Sequence, residues 1–178
     1  PALLGLLNVL LYNGLYTPLK RHSMTAAVLI GAFVGAIPPL IGWSSAGGSL
    51  LAPVILMVAG FMYLWQIPHF GLLALKHTQD YQNAGYAVRF QPVQIKQIIF
   101  TSLLLLMLQV SGFVLLDMVH TPLIIVLLAA FSLLMLFLLY TYLFTSRPLR
   151  RIFGGIPLIN MYMMLLLILL LIDQAIRF

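Results

Sequence analysis

The sequence predicts an all-α, polytopic transmembrane bundle of about six helices. Three observations carry that expectation. Only 7% of the 178 residues are charged and 63% are hydrophobic, whereas a soluble domain carries about 25% charged residues. Mean hydropathy is +1.11. The apolar residues also gather into runs of membrane-spanning length. Nine basic and three acidic residues cannot solvate the surface of a 19.8 kDa globule, but they can serve the ends and interior of a bundle in lipid.

The apolar runs cover 1–17, 24–42, 50–75, 95–116, 122–145 and 156–176. Most approach the roughly 20 residues that cross a hydrocarbon core. None shows the alternation of a barrel strand, so each must satisfy its backbone as a helix. The run 1–17 is the shortest. It starts at Pro1, without Met and without a charged segment ahead of it, so it reads as a chain whose beginning is missing rather than as a processed signal. On the second run, Gly31-Ala-Phe-Val-Gly35 is a small-xxx-small pattern that lets a neighbouring backbone approach. Pro38-Pro39 should break or kink the same helix near its outer end. The whole, residues 1–178, reads as a single transmembrane domain.

Charge orients the bundle. Lys20, Arg21, Lys76, Arg89, Lys96, Arg147, Arg150 and Arg151 follow or precede alternate runs, leaving Arg177 on the other side. The segments Trp43–Ser49 and Asp117–Pro122 have no Lys or Arg. The positive-inside rule places the basic face in the cytoplasm, and both termini outside. The net charge of +6 therefore reads as orientation. No basic stripe with interleaved aromatics is present, which argues against nucleic acid as a partner. Cys is absent, which removes disulfides, thiolate metal sites and a Cys nucleophile.

Polar residues near the membrane mark where chemistry could sit. If the helix through Trp65-Gln66-Ile67-Pro68-His69-Phe70 continues to Tyr81, then His69, Leu73, Lys76 and Asp80 form one stripe running toward the basic face. The alternative is a snorkelling Lys, a solvated Asp and a His satisfied by another helix. In the first run, Asn13, Thr17 and Lys20 share a face, with Arg21 adjacent. Two adjacent cations suit a phosphate or a propionate, and they suit anionic lipid headgroups equally well. Asp117 and Asp173 read as solvated outer ends. Asn160 and Tyr162 could line a cavity or simply pack.

Four segments then become recognisable in order: Tyr16-Thr17-Pro18-Leu19-Lys20-Arg21, Gly35-Ala36-Ile37-Pro38-Pro39-Leu40-Ile41-Gly42-Trp43, Trp65-Gln66-Ile67-Pro68-His69-Phe70 and Asp80-Tyr81-Gln82-Asn83-Ala84-Gly85. Together they resemble the heme O synthases (protoheme IX farnesyltransferases) of the UbiA-type membrane prenyltransferase superfamily. The resemblance implies a nine-helix bundle of which this chain holds the last six helices. It implies farnesyl transfer from farnesyl diphosphate to protoheme IX, with Mg²⁺ on the diphosphate and heme as substrate rather than cofactor. It also implies a bacterial inner or mitochondrial inner membrane, an active face toward cytoplasm or matrix, and partners in the heme pathway or in oxidase assembly.

Carried onto matching positions, the resemblance implies catalytic roles for Asp80, Lys76 and His69, with Asp80 as the metal ligand. It implies substrate binding by Lys20, Arg21, Tyr16, Asn13, Gln66 and Tyr81. The family's first acidic motif would precede Pro1, so the 178 residues alone are expected to be inactive. Two departures occur. Ile67-Pro68-His69-Phe70 stands where the family has Pro-Pro-His-Phe, and Tyr86-Ala87-Val88-Arg89-Phe90 replaces the family's Ile-Pro-Met-Leu-Pro after Ala84-Gly85.

Two other readings remain open on the residues. One is a prenyltransferase of the same superfamily acting on an aromatic or quinone precursor. The other is a non-catalytic membrane subunit or transporter segment. Transport favours polar residues at the midplane, and here they crowd at one face.

The charge pattern predicts the outcome of site-directed labelling. Single cysteines at Ser23 and Ser146 should react from the cytoplasmic side and a cysteine at Ser45 from the opposite side. Reaction of all three from one side would contradict the helix assignment.

Overall fold

The computed structural model describes residues 1–86, 92–144 and 152–176. Arg89, Arg147, Arg150, Arg151, Arg177 and the departure at Ala87–Phe90 lie outside the described residues. The elements are α1 (Ala2–Leu10), a π-helical segment (Leu11–Tyr16), α2 (Thr17–His22), α3 (Met24–Ser45), α4 (Pro53–Lys76), α5 (Thr78–Asn83), α6 (Pro92–Leu115), α7 (Pro122–Phe144) and α8 (Ile152–Ile176). Six helices are long and apolar enough to cross a membrane: Ala2–His22, Met24–Ser45, Pro53–Lys76, Ile95–Leu115, Pro122–Thr141 and Gly154–Ile176. They coincide with the six apolar runs. The first differs in length, because its helix continues past the apolar stretch through Lys20 to His22.

Helix α4 is the hub. It packs against α3, α6 and α8, while α7 closes onto α6 and α8. The core lies among these last helices, with Phe61 and Leu72 of α4 meeting Ile99, Leu103 and Phe113 of α6 and Ile159 and Leu166 of α8. The first span packs mainly on α3. Helix α3 is buried mainly through small residues, Ala27, Gly31, Ala32 and Ala36, so its neighbours approach closely.

Pro38 and Pro39 do not break α3, which runs on to Ser45. A proline removes one donor and strands one carbonyl, but the other turns of a hydrophobic helix have no competing solvent to unwind into. Pro18 leaves a clearer mark. Immediately ahead of it the turn widens, with the Thr17 N–H and the Thr17 hydroxyl both donating to Tyr12 O. A proline cannot donate to the carbonyl four residues back, and the wider turn reassigns the bonds.

Three helices end in the same way. At the ends of α3, α5 and α6 a residue with positive φ follows the last turn: Gly47 at 82°, Gly85 at 73° and Asp117 at 54°. In each case the next residue's N–H reaches back to the helix: Gly48 to Trp43 O, Tyr86 to Tyr81 O and Met118 to Phe113 O. This double-bonded C-cap satisfies carbonyls that would otherwise face a membrane boundary unpaired. Glycine adopts the left-handed conformation without strain, and a short polar Asp tolerates it.

Asp173 corrects a sequence expectation. It is fully buried rather than solvated. Its carboxylate accepts from the Thr121 N–H at 2.8 Å and from the His120 N–H at 3.2 Å. These donors sit where α7 begins at Pro122, so a carboxylate from α8 caps the helix in place of a local side chain. The positive end of the helix favours that charge. Asp117 keeps its exposed position, 86% accessible, with His120 Nε2 at 3.3 Å.

Replacing Asp173 with Ala should leave two buried donors unpaired and cost about 1–3 kcal/mol. Thermal unfolding of the detergent-solubilised protein should show the loss, whereas Asp117→Asn, which keeps the turn, should change little. Equal tolerance of both substitutions would contradict the cap.

Candidate functional site at the basic membrane face

The first span, α4 and the α5 turn bring together a cluster of aromatic and charged side chains. Lys20, at the end of α2, is half-buried. Its Nζ lies 4.3 Å from the Tyr16 ring centroid and 5.5 Å from that of Tyr86. Tyr16 in turn meets Phe70 of α4 at 6.0 Å and Tyr12 at 5.2 Å. Tyr86 meets Tyr81 at 5.7 Å, and Tyr81 meets His77 at 6.5 Å. Two rings, Tyr16 from the first span and Tyr86 from the turn after α5, therefore flank one ammonium, and further rings back them. Burial pushes the Tyr81 phenol pKa up, with the neighbouring Tyr86 phenol adding to it, so Tyr81 stays neutral at physiological pH.

Glycines make room for this arrangement. A Cβ on Gly31 would press on the Tyr16 ring at 2.8 Å and on Phe70 at 3.1 Å. A Cβ on Gly35 would collide with the Gln66 amide. The small-xxx-small pattern of α3 thus admits two of the expected site side chains, Tyr16 and Gln66.

The expected single stripe through His69, Lys76 and Asp80 does not form. Helix α4 ends at Lys76, His77 leaves helical geometry with φ −112 and ψ 26, and α5 starts at Thr78. His77 Nδ1 lies 3.0 Å from Asp80 Oδ2, and the Asp80 side chain is 75% exposed. Lys76 and Arg21 are exposed at the ends of α4 and α2. Asp80 therefore stands at the same face as Lys20 and Lys76, on a separate short helix.

His69 lies deeper, on the α4–α8 contact. Asn160 Oδ1 can only accept, so the 2.9 Å bond to His69 Nδ1 places the proton on that nitrogen. Trp65 stacks on the same ring at 4.9 Å and donates its Nε1–H to Ile159 O at 2.9 Å. Tyr162 is bonded to Ser132 at 2.8 Å. Asn13 does not join the cluster. The π-helical turn breaks the spacing that would align it with Thr17, and its amide donates to Val9 O at 3.0 Å.

Between α3, α4 and α6, next to Phe70, lies an apolar cavity of about 90 Å³. Val28, Leu29, Ile67, Ala74 and Ile98 help to line it. Sequence reasoning missed Tyr86 and His77 as members of the cluster. The signal for Tyr86 was present: a glycine one residue after a helix end directs the next side chain back onto the helix.

No group of three or more His, Asp or Glu residues able to hold a metal ion occurs among the described residues. On the basic face Asp80 is the one acidic residue among them. The residues present offer one carboxylate to a Mg²⁺ and not a complete site.

A basic, aromatic-lined membrane face above an apolar cavity fits a membrane enzyme that handles an amphipathic anion. The chain belongs to the UbiA prenyltransferase family, whose profile matches residues 1–148. It is 49% identical over 87 residues to the mitochondrial protoheme IX farnesyltransferase of Yarrowia lipolytica, covering 49% of this chain and 18% of that protein. It is 47% identical over 85 residues to the protoheme IX farnesyltransferase of Geobacter sulfurreducens, covering 48% and 31%. The human mitochondrial protoheme IX farnesyltransferase is 49% identical over 85 residues, covering 48% and 19%. The chain thus matches less than a third of the length of each of these relatives. No solved structure matches.

The His69–Asn160 pair generates a test of its own. Asn160→Leu should leave the His69 donor unpaired between two helices and cost about 1–3 kcal/mol. Adding His69→Leu should recover part of that loss, because removing both partners costs less than removing one. A double variant that unfolds as far below the single as the single does below the parent would refute the pairing.

Proposed function

We propose that the complete protein transfers a farnesyl group from farnesyl diphosphate to protoheme IX, giving heme O, at the cytoplasmic or matrix face of a bacterial or mitochondrial inner membrane. The observation that carries this reading is the near-half identity to protoheme IX farnesyltransferases from a bacterium and from mitochondria. The basic aromatic cluster supports it chemically. Transfer requires an allylic C–O bond to break and a diphosphate to leave with its negative charge. Cations held beside that charge stabilise it more as it develops.

In this reading Lys20 and Arg21 face the diphosphate or the heme propionates, and Lys76 adds charge from α4. The apolar cavity beside Phe70 gives the isoprenoid chain a wall to lie against, so an amphipathic substrate has its head at the boundary and its tail in the hydrocarbon. Tyr16 and Tyr81 line the route between them. Gln66, held against Gly35, and His69, held by Asn160, lie further into the bundle, where the porphyrin acceptor would approach. When the vinyl group takes the farnesyl carbon, the adjacent carbon is left cationic and a water adds to it, and His69 Nε2 is the ring nitrogen left to take that water's proton.

Mg²⁺ would reduce the charge on a bound diphosphate, and Asp80 is the side chain on this face that can contribute an oxygen to it.

Membranes containing the complete protein should convert farnesyl diphosphate and protoheme IX into a farnesylated heme. In that protein, Asp80→Asn should remove most Mg²⁺-dependent turnover, tenfold or more as an order of magnitude, while leaving the protein folded. Product from a quinone precursor and none from heme would replace this reading with the related prenyltransferase. An Asp80→Asn enzyme of full activity would remove Asp80 from the site.

A further inference from the structure

Tyr86 is placed by backbone geometry. Gly85, at φ 73, follows α5, its N–H bonding Gln82 O at 3.0 Å and the Tyr86 N–H bonding Tyr81 O at 2.9 Å. The double bond turns the chain back and sets the Tyr86 ring against Tyr81, the hydrophobic contact that usually accompanies this cap. From there the ring reaches Lys20, on a different membrane span. Tyr16 approaches the same ammonium within 4.3 Å, and Gly31 leaves the space in which Tyr16 sits.

We propose that Tyr86 is a positioning residue: with Tyr16 it forms an aromatic cage that holds the Lys20 ammonium in place for the phosphate groups of the substrate. This rests on the diphosphate reading above and goes beyond it by assigning a function to a residue outside the anion-contacting set.

The physical reason is that a neutral ring attracts a cation through its quadrupole without neutralising it. A carboxylate in the same place would hold Lys20 equally well, but would repel the incoming anion. Lys is also among the side chains with most rotamer freedom to lose. Fixing it before the substrate arrives removes that loss from the binding step. The cage also ties the turn after α5, and with it the Asp80 helix, to the end of the first span. The cation and the carboxylate are thereby brought to one face.

The experiment uses the full-length protein in detergent, with Tyr86→Leu, Tyr86→Phe and the same changes on a Lys20→Met background. Lys20 is first labelled with an amine-reactive ester in the absence of substrate and quantified by mass spectrometry, with Lys96 as internal reference. Tyr86→Leu should raise the Lys20 rate about two- to fivefold, the effect of losing one cation–ring contact at a half-exposed position. Tyr86→Phe, which keeps the ring face, should label like the parent.

Equilibrium binding of radiolabelled farnesyl diphosphate should weaken by a similar factor in Tyr86→Leu, stay near the parent in Tyr86→Phe, and show no Tyr86 effect once Lys20 is Met. Unchanged Lys20 labelling in Tyr86→Leu overturns the cage. Faster labelling with unchanged affinity overturns the positioning role. A loss of affinity that persists on the Lys20→Met background, or that Tyr86→Phe shares, overturns it as well. Failure of the parent to bind farnesyl diphosphate overturns the diphosphate reading and the positioning role together, while the labelling still decides the cage.

Discussion

A peptide group inside hydrocarbon has no water to bond to, and every other feature of this structure follows from that condition. Each apolar run closes its own ladder as a helix. The unpaired groups are pushed to the helix ends, where the chain must supply partners itself. At the ends of α3, α5 and α6 it does so with a left-handed residue and a reversed pair of bonds. At the start of α7 it uses a carboxylate from another span, Asp173. That choice costs a buried charge, compensated by two backbone donors and the positive helix end, and in return α7 and α8 are tied together at the end of the bundle away from Lys20.

The same condition confines the chemistry. A charged side chain is expensive near the bilayer centre, so Lys20, Arg21, Lys76 and Asp80 stand at helix ends. What reaches inward is neutral and paired: His69 with Asn160, Trp65 with the Ile159 carbonyl, Tyr162 with Ser132. The result is a polar boundary over an apolar interior. That gradient suits a substrate with a charged head and a hydrocarbon tail. The glycines of α3 refine it, because only a helix without side chains at Gly31 and Gly35 can admit Tyr16 and Gln66.

The spans were legible in the sequence because hydropathy and length report the bilayer directly, and the six runs recur as six helices. The site was legible in part. Tyr16 lies against Lys20, and Tyr81 reaches the same cluster through the Tyr86 ring. Three things were hidden for identifiable reasons. The stripe through His69 and Asp80 assumed an unbroken α period, and the break at His77 carries no proline or glycine to announce it. The alignment of Asn13 with Lys20 assumed the same period, which Pro18 disturbs by widening the preceding turn. Asp173 looks like a solvated end residue because nothing local shows that its partners lie on another helix, His120 and Thr121.

The break at His77 does more for the basic face than the expected continuous helix would. Four further α-helical residues beyond Lys76 would carry Asp80 about 6 Å outward along the axis, away from the membrane boundary and the end of the first span. Ending α4 and starting a six-residue helix instead lets the chain turn within the boundary region, and Gly85 turns it again. The returning segment arrives at Lys20 with an aromatic ring. Helix α5 is too short to be stable alone, so its position must come from what it touches at either end: His77 on Asp80 at its start and Tyr86 on Tyr81 and Lys20 at its finish. The carboxylate on α5 thus shares its support with Lys20: the Tyr86 ring that closes the short helix onto Tyr81 is the same ring that meets the ammonium.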